Sequence, residues 1–313
     1  MNPLRNTGIF GSWATLLMAT GEDGNIDYSK LSEEIDVLIA SNPNGIYSNG
    51  TAGEFYAQAE NEFDRISQIL SEKCDKAGVR FQIGVSHMSP QISLERLKRI
   101  RQLHPGAIQV ILPDWFPVNK DEAVAFLQKM ELEAKGISLV LYNPPHAKKQ
   151  LTPAEWKNLK EHVPSLVGVK VFDHNANSEW YAQVRENSVG LSVFIPGHRL
   201  ATGLKSGAHG SYSNIACLNP FAARRWYDLI KNDMKAGLEL ENRIGIFMKK
   251  FIEPLITVHH YSHQACDRFM AVLGDWSDIG EKLRWPYQSV PVEYATKNRK
   301  ESRTLIHEFF EKW

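Results

Sequence analysis

Short β-rich runs that alternate with amphipathic stretches predict an α/β protein built as a (β/α)8 TIM barrel. The runs recur at intervals close to the roughly 30 residues of one strand-plus-helix unit. The eight strand candidates lie at residues 11–17, 45–49, 81–86, 107–113, 139–143, 166–172, 191–196 and 210–216. An open doubly wound sheet is the alternative, but no GxGxxG turn follows the first candidate strand.

Helical patterns separate the strand candidates, and several begin with capping signals. Thr152, for example, precedes Pro153 and is followed by Glu155, an arrangement typical of a helix start. The predicted helices cover residues 28–40, 60–76, 90–103, 121–135, 152–162, 178–186 and 221–231. We therefore expect a barrel catalytic domain over residues 1–235 and a C-terminal helical extension over residues 236–313. The extension should continue as helix over 238–260, with a kink at Pro254, and pack on the barrel exterior or on a partner subunit.

Charge and composition exclude several classes of partner. Lys plus Arg and Asp plus Glu both total 36 in 313 residues, so the net charge gives no reason to expect nucleic acid or an anionic membrane. No run reaches the ~18 apolar residues of a spanning helix. Cys74, Cys217 and Cys266 are sparse and odd in number, which argues against a disulfide framework or a structural zinc site. Residues 1–7 lack the pattern of a secretory leader, so we expect a cytoplasmic protein.

Lys170 is the most informative single residue, because it lies inside the apolar run 166–172. Burial disfavours a charged amine, lowers its pKa and leaves a neutral group able to attack a carbonyl. Tyr142 ends the preceding β-rich run 28 residues earlier, at the equivalent place. Two reactive groups at matching points of consecutive parallel strands indicate an active site; the alternative is a lysine whose amine reaches solvent at a strand end.

A glycine-bracketed turn follows the second strand candidate. Gly50 and Gly53 flank Thr51 and Ala52, a pattern that can expose successive backbone N–H groups to an anion. Thr51 precedes Tyr142 by 91 residues, about three strand-plus-helix units, so both should lie on the same rim of the barrel. The set suits a 2-keto acid, with its carboxylate at the turn, its ketone on the lysine and the phenol transferring protons.

Three segments resemble signatures of one enzyme family. GTAGE at 50–54, YNPP at 142–145 and GVK at 168–170 are similar to the dihydrodipicolinate synthase / N-acetylneuraminate lyase family, which consists of class I, Schiff-base aldolases on a TIM barrel. The order and spacing agree, and the resemblance extends from residue 8 to about residue 220. Segments 23–27 and 284–287 are also similar to the family.

The resemblance implies a role for each matching residue. Lys170 would form the imine, and Tyr142 would transfer protons. Thr51 would hydrogen-bond the tyrosine hydroxyl, while the backbone of Thr51 and Ala52, after Gly50, would hold the carboxylate of a pyruvate-like substrate. The family commonly assembles as a homotetramer. Its chemistry needs no metal or organic cofactor, because the protonated imine withdraws the electrons.

The chain departs from the family at several of these points. Ala52 replaces the second hydroxyl residue of the turn, which removes one side-chain hydrogen bond worth about 1 kcal/mol. Trp115 stands where the synthases have a tyrosine of the proton relay, and an indole can donate but cannot accept a proton. We expect Trp115 to wall the substrate pocket or to pack at an interface. Ala147 stands where the synthases have a substrate-binding arginine.

The predicted end of the seventh strand carries Gly197, His198 and Arg199 where the sialic-acid lyases have acidic residues. His198 and Arg199 would favour a substrate with a second anionic or strongly polar group, although an arginine that caps a helix or lies in solvent is the alternative. Ser213 matches a position that lines the lyase pocket, and His87 is a further pocket candidate.

The sequence therefore predicts a lyase, an aldolase or dehydratase, that acts on a 2-keto acid such as pyruvate or a 2-keto-3-deoxy sugar acid. Two alternatives are a non-catalytic or regulatory keto-acid-binding protein and a hydratase-aldolase for aryl-substituted pyruvates. A metal-dependent barrel aldolase would need clustered ligands at strand ends, and none are evident. The histidine-rich tract 259–263 is interpreted as a polar loop or helix end, because histidines one residue apart cannot share a helix face.

Overall fold

Eight parallel strands follow one another in chain order and close into a barrel through pairing of the first strand with the last. The computed structural model describes residues 1–173 and 177–311. The strands are β1 (Gly11–Thr15), β2 (Gly45–Ser48), β3 (Phe81–Gly84), β4 (Ala107–Val110), β5 (Ser138–Asn143), β6 (Leu166–Val171), β7 (Ser192–Phe194) and β8 (Gly210–Tyr212). The predicted barrel and its eight strands are confirmed. Most predicted strands run too far at their carboxyl ends, because those residues form the loops of the rim.

Helices connect consecutive strands and continue after β8. They are α1 (Tyr28–Ala40), α2 (Glu60–Ala77), α3 (Pro90–Ile100), α4 (Lys120–Ala134), α5 (Pro153–His162), α6 (Ser178–Asn187), α7 (Leu200–Ser206), α8 (Ile215–Leu218), α9 (Pro220–Asn232), α10 (Met234–Phe247), α11 (Glu253–Thr257), α12 (His263–Gly274) and α13 (Val292–Leu305). The predicted cap at Thr152 is present: its hydroxyl accepts from the backbone N–H of Glu155 at 3.3 Å. None of the described helices is long and apolar enough to cross a membrane.

Aromatic side chains fill the barrel interior below its mouth. The ring of Tyr212 lies with its centroid 4.6 Å from that of Tyr47, 4.6 Å from Phe194 and 5.8 Å from Trp13. All four are buried and point inward from their strands, as the alternation of a β-strand requires. The Tyr212 hydroxyl donates to Oε1 of Gln82 at 2.7 Å. The pocket described below lies above this packed floor, at the carboxyl end of the barrel.

The C-terminal helices cover that end, and not only the barrel exterior as the sequence had led us to expect. α10, α11 and α12 all contribute side chains to the pocket described below. A π-helical turn at Met248–Ile252 separates α10 from α11 just before Pro254, and the kink expected at that proline stays a prediction. The division of the chain at residue 235 into two domains stays a prediction.

A buried ion pair attaches α12 to the turn that follows β2. Nη2 of Arg268 lies 2.9 Å from Oε1 of Glu54, and both side chains are almost fully buried. Nη1 of Arg268 also donates to the backbone carbonyls of Ile279 and Gly280, each at 3.0 Å. These bonds satisfy a guanidinium that would otherwise be costly to bury. They fix the position of α12 relative to Thr51.

Candidate active site

A pocket of about 710 Å³ opens at the carboxyl ends of the strands, where such barrels place their reactive groups. Strand residues form its floor, and the C-terminal helices form its wall. Residues of the floor include Thr15, Tyr47, Tyr142, Lys170, Ile195 and Tyr212, and residues of the wall include Glu241, Lys249, Glu253, His263, Asp267 and Met270.

Lys170 lies on the pocket floor in a cage of three tyrosines. Its Nζ donates to the hydroxyl of Tyr47 at 3.0 Å. The same nitrogen lies 4.2 Å from the ring centroid of Tyr142, 4.8 Å from that of Tyr47 and 5.3 Å from that of Tyr212. Tyr142 on β5 is the direct cross-strand partner of Lys170 on β6, so the two matching positions inferred from the sequence do adjoin.

Burial of the amine lowers the pKa of Lys170 to about 8, while the nearby charge of Asp267 opposes this change. The surrounding rings also favour the ammonium form through cation–π attraction, which acts to raise the pKa. Because the pKa of Lys170 is nevertheless lowered, desolvation is the dominant effect. At a pKa of about 8, about a tenth of the molecules carry a neutral amine at pH 7, against roughly one in three thousand for an ordinary lysine. The lysine is thus able to act as a nucleophile.

Thr51 and Tyr142 meet on the rim as the sequence predicted. Oγ1 of Thr51 donates to the hydroxyl of Tyr142 over 3.5 Å, at the outer limit of a hydrogen bond. Burial raises the pKa of Tyr142 to about 12, with the Thr51 bond opposing the increase. Tyr142 is therefore protonated at neutral pH and is able to donate a proton.

The glycine turn at the edge of the pocket contains unused backbone donors. Within the described residues, the N–H groups of Thr51 and Ala52 donate to no acceptor, while the turn is closed by the Glu54 N–H bonded to the Thr51 carbonyl at 3.0 Å. Thr51 and Ala52 both line the pocket. Gly50 lies behind them: a Cβ there would be 2.6 Å from the ring of Tyr47. Glycine at this position therefore permits the tyrosine to pack under the turn.

The structure changes the expectation for the residues that follow β7. Nε of Arg199 lies 3.2 Å from Oδ2 of Asp173, whose side chain is 1% exposed. The charge of Arg199 is thus balanced by a buried carboxylate. Burial lowers the pKa of His198 to about 4, so its imidazole is neutral at pH 7. Both residues line the pocket, but they present a neutral ring and a paired guanidinium rather than two cations.

Gly197 and Ser213 were expected in the pocket but lie behind its lining. A Cβ on Gly197 would be 2.5 Å from Oγ of Ser213, so the two residues pack directly against each other. Ser213 is fully buried, and its Oγ accepts from the Ala216 N–H at the start of α8. Both residues shape the wall from behind.

Trp115 and His87 also lie away from the pocket lining. The side chain of Trp115 is 70% exposed, with Nζ of Lys148 5.3 Å from its ring centroid. It therefore lies on the surface of the single chain, in the loop after β4, and its packing at a subunit interface stays a prediction. Nδ1 of His87 accepts from the Ser89 N–H at 2.9 Å, which places the ring at the start of α3.

Several pocket residues were not identified from the sequence. Tyr47 could have been identified from the sequence. It lies two positions after the buried Gly45 on β2, and residues two apart on a strand point to the same face. His146 and His263 line the outer pocket, and burial lowers the pKa of each. Asp267 carried no sequence signal, because its place depends on how α12 packs against the barrel. Within the described residues, no group of three or more potential ligands is placed to hold a metal ion.

The fold and the site together define a (β/α)8 barrel whose pocket is centred on a partly buried lysine. Residues 9–290 match the Dihydrodipicolinate synthetase family, and the chain belongs to that family. This agrees with the resemblance that the three sequence segments had indicated.

Two relatives of known name each share less than 30% sequence identity with this chain. N-acetylneuraminate lyase of Gallus gallus is 29% identical over 157 residues, which are 48% of this chain and 50% of that protein, so the chain spans about half the length of this relative. The 2-dehydro-3-deoxy-D-gluconate/2-dehydro-3-deoxy-phosphogluconate aldolase of Picrophilus torridus is 25% identical over 230 residues, 72% of this chain and 84% of that enzyme. These names agree with the lyase class expected from the sequence.

Solved structures share the fold. YagE, a prophage protein of the dihydrodipicolinic acid synthase family from E. coli K12, was solved in complex with pyruvate. It superposes with a TM-score of 0.82 at 17% identity, covering 95% of this chain and 98% of that one. At this identity the likeness establishes the fold alone.

Proposed function

We propose that this protein is a lyase that forms an imine between Lys170 and a 2-keto acid such as pyruvate or a 2-keto-3-deoxy sugar acid. The observation that carries the proposal is the position of the Lys170 amine. It lies on the pocket floor, 3.0 Å from the Tyr47 hydroxyl and 4.2 Å from the Tyr142 ring, and burial lowers its pKa to about 8. A neutral amine in this place is the nucleophile that imine formation requires.

The turn after β2 supports the choice of a 2-keto acid. Thr51 and Ala52 line the pocket, and their N–H groups have no acceptor among the described residues; two adjacent donors suit a carboxylate. A carboxylate held there directs the adjacent ketone carbon towards Lys170. The replacement of a hydroxyl residue by Ala52 leaves these backbone donors in place.

The chemistry follows from the imine. The amine of Lys170 adds to the ketone, and the carbinolamine loses water to give a protonated imine. In an aldol cleavage, the hydroxyl on carbon 4 loses its proton and becomes the aldehyde carbonyl, the bond between carbons 3 and 4 breaks, and its electron pair moves into the enamine. In a dehydration, carbon 3 loses a proton, the C–O bond at carbon 4 breaks, and the hydroxyl takes up a proton and leaves as water. Tyr142, protonated at neutral pH, is the group placed to transfer protons to the substrate.

A keto-acid-binding protein without turnover is the second candidate function. The replacement of the family's relay tyrosine by Trp115 supports it, because an indole cannot accept a proton. A hydratase-aldolase for aryl-substituted pyruvates stays a further alternative, which gains no support from the pocket lining of this chain. Assembly as a homotetramer and a cytoplasmic location stay predictions, and sedimentation velocity tests the first.

Borohydride reduction in the presence of pyruvate tests the proposal. We expect the wild type to gain the mass of one reduced adduct, and the Lys170→Ala variant to gain none. Lys160→Ala is the matched control, because burial also lowers the pKa of Lys160, but that residue lies on α5 outside the pocket. Turnover of a panel of 2-keto acids then separates the two candidates: an adduct without any turnover supports the binding protein, and no adduct contradicts both.

A further inference from the structure

The hydroxyl of Tyr47 contacts the reacting nitrogen, and the chemistry above gives it no role. It accepts the hydrogen bond that Nζ of Lys170 donates on the pocket floor, at 3.0 Å. Burial raises the pKa of Tyr47 well above its ordinary value, so the hydroxyl keeps its proton near neutral pH. The oxygen is therefore a neutral acceptor placed beside the lysine nitrogen before any substrate binds.

Packing from three sides fixes the side chain of Tyr47. Thr15 on β1 is its direct cross-strand partner, and a hydrogen bond joins their side chains. The ring of Tyr212 packs edge-on against the Tyr47 ring, with the two centroids 4.6 Å apart. A Cβ on Gly50 would be 2.6 Å from the Tyr47 ring, so the glycine turn lies directly against it. The hydroxyl is thereby held in one position relative to both the turn and Lys170.

Imine formation changes what the lysine nitrogen can donate. A lysine ammonium has three N–H donors, which rotate about the bond between Cε and Nζ. A protonated imine has a single N–H, which lies in the plane of the C=N bond. The lysine chain and the keto-acid carbon occupy the other two directions around the nitrogen in that plane. The acceptor of this single N–H therefore sets the plane of the imine.

We propose that Tyr47 accepts the single N–H of the Lys170 imine and thereby fixes the plane of the imine and of the enamine formed from it. The carboxylate bound at the glycine turn is the second point of attachment. Carbon 3 then keeps one orientation relative to Tyr142, whose ring centroid lies 4.2 Å from Nζ. The inference rests on the imine chemistry proposed above, and it leaves proton transfer with Tyr142.

Hydrogen exchange at carbon 3 of 2-oxobutanoate, followed by NMR in deuterium oxide, measures this orientation. The enzyme removes one proton from that carbon and returns a deuteron, so the reaction needs no further reactant. The two hydrogens of the carbon are stereochemically distinct, and a fixed enamine plane favours exchange of one of them. We expect the preference of the wild type to fall by roughly fivefold in Tyr47→Phe, the factor that one hydrogen bond is worth.

The pH dependence of reduction by cyanoborohydride at saturating pyruvate gives a second readout, because this reagent reduces the protonated imine. Without its acceptor the imine loses its proton more readily, so the midpoint should lie ~0.7 pH unit lower in Tyr47→Phe. Tyr56→Phe is the matched control, since its buried hydroxyl has no partner among the described residues and lies outside the pocket lining. Asp267 and Cys217, whose charges also act on Lys170, are the same in all three proteins.

Tyr56→Phe should keep the wild-type preference and midpoint. If Tyr47→Phe keeps both as well, or if the wild type exchanges the two hydrogens equally, the proposal is overturned. A crystal structure of the wild type reduced with pyruvate tests it without any substitution. The adduct nitrogen should lie within ~3.2 Å of the Tyr47 hydroxyl, and a nitrogen turned away from that oxygen overturns the proposal. Absence of any wild-type adduct overturns both this proposal and the proposed function.

Discussion

Lys170 combines a buried position with an amine that can be protonated, although burial usually disfavours the charged form. It lies among apolar neighbours on its strand, and its Nζ donates a hydrogen bond to the hydroxyl of Tyr47 at 3.0 Å. Desolvation lowers the pKa to about 8 despite the rings of three tyrosines around it. The ammonium is therefore tolerated, while the neutral amine remains accessible near neutral pH.

The two tyrosines closest to Lys170 should differ in what their hydroxyls contribute. Tyr142→Phe removes the proposed proton-transfer group, so we expect turnover of a cleaved or dehydrated keto acid to fall by at least ~100-fold. Tyr47→Phe keeps the ring and loses one hydrogen bond to Lys170, which is worth about 1 kcal/mol, or roughly fivefold in rate. Steady-state kcat for the two variants checks this order. A larger loss for Tyr47→Phe would contradict the assignment.

Sequence could predict Lys170 and Tyr142, because both stand at the same point of consecutive parallel strands, and the observed register pairs them directly. It could not place Trp115, because a rim loop can turn into or away from the pocket with the same residues. Nor could it anticipate the pairing of Arg199 with Asp173, which depends on side chains from two different strand ends. Contacts of this kind are set by tertiary packing rather than by local pattern.

At the scale of elements, the buried ion pair between α12 and the turn after β2 fixes the position of the pocket wall relative to Thr51. Removing one partner of a buried pair leaves an uncompensated charge and costs about 3–5 kcal/mol. We expect Arg268→Met to lower the free energy of unfolding by that amount, measured by urea denaturation. Arg299→Met is the matched control, because Arg299 pairs with Asp275 at the surface, and exposed pairs contribute less than about 1 kcal/mol.

Equal destabilisation by Arg268→Met and Arg299→Met would contradict the structural role of the buried pair. A second variant, Glu54→Gln, removes the carboxylate and keeps a polar acceptor for the guanidinium. It leaves the buried guanidinium without its counter-charge, so it should also destabilise the protein by about 3–5 kcal/mol, although the hydrogen bonds of Arg268 to the carbonyls of Ile279 and Gly280 remain.

The elements themselves were largely predictable. Short β-rich runs identified each barrel strand, amphipathic stretches identified most connecting helices, and an irregularity near Pro254 was expected from a proline that lacks a backbone donor. The role of α10 to α12 as a pocket wall was not predictable. An amphipathic pattern reports that one face of a helix is buried, but not which surface covers it.

For the whole molecule, Glu34 makes stability depend on pH. It is fully buried on α1, accepts from the Leu17 N–H at 2.8 Å, and burial raises its pKa to about 8. The folded state therefore holds a proton that the unfolded chain releases near pH 4.5. The contribution of this group to the free energy of unfolding is fully present below about pH 4.5. It is lost as the pH rises towards 8, and the free energy of unfolding falls by about 1.4 kcal/mol for each pH unit in that range.

Glu34→Gln should remove this dependence, because the amide resembles the protonated acid. We expect the variant to gain stability over the wild type at pH 8 and to match it more closely at pH 5, in urea denaturation at the two values. Glu33→Gln is the control, since Glu33 is the exposed neighbour on the same helix. If the difference between variant and wild type is the same at both pH values, Glu34 is not buried as a neutral acid.

The central claim is that the Lys170 amine is neutral far more often than an ordinary lysine, and competitive acetylation followed by peptide mass spectrometry measures this most directly. The reactivity of Lys170 should rise with pH through a midpoint near 8, well below the 10.5 of an unperturbed lysine, and excess pyruvate should block it. A midpoint near that of exposed lysines, or labelling unchanged by pyruvate, would contradict the account.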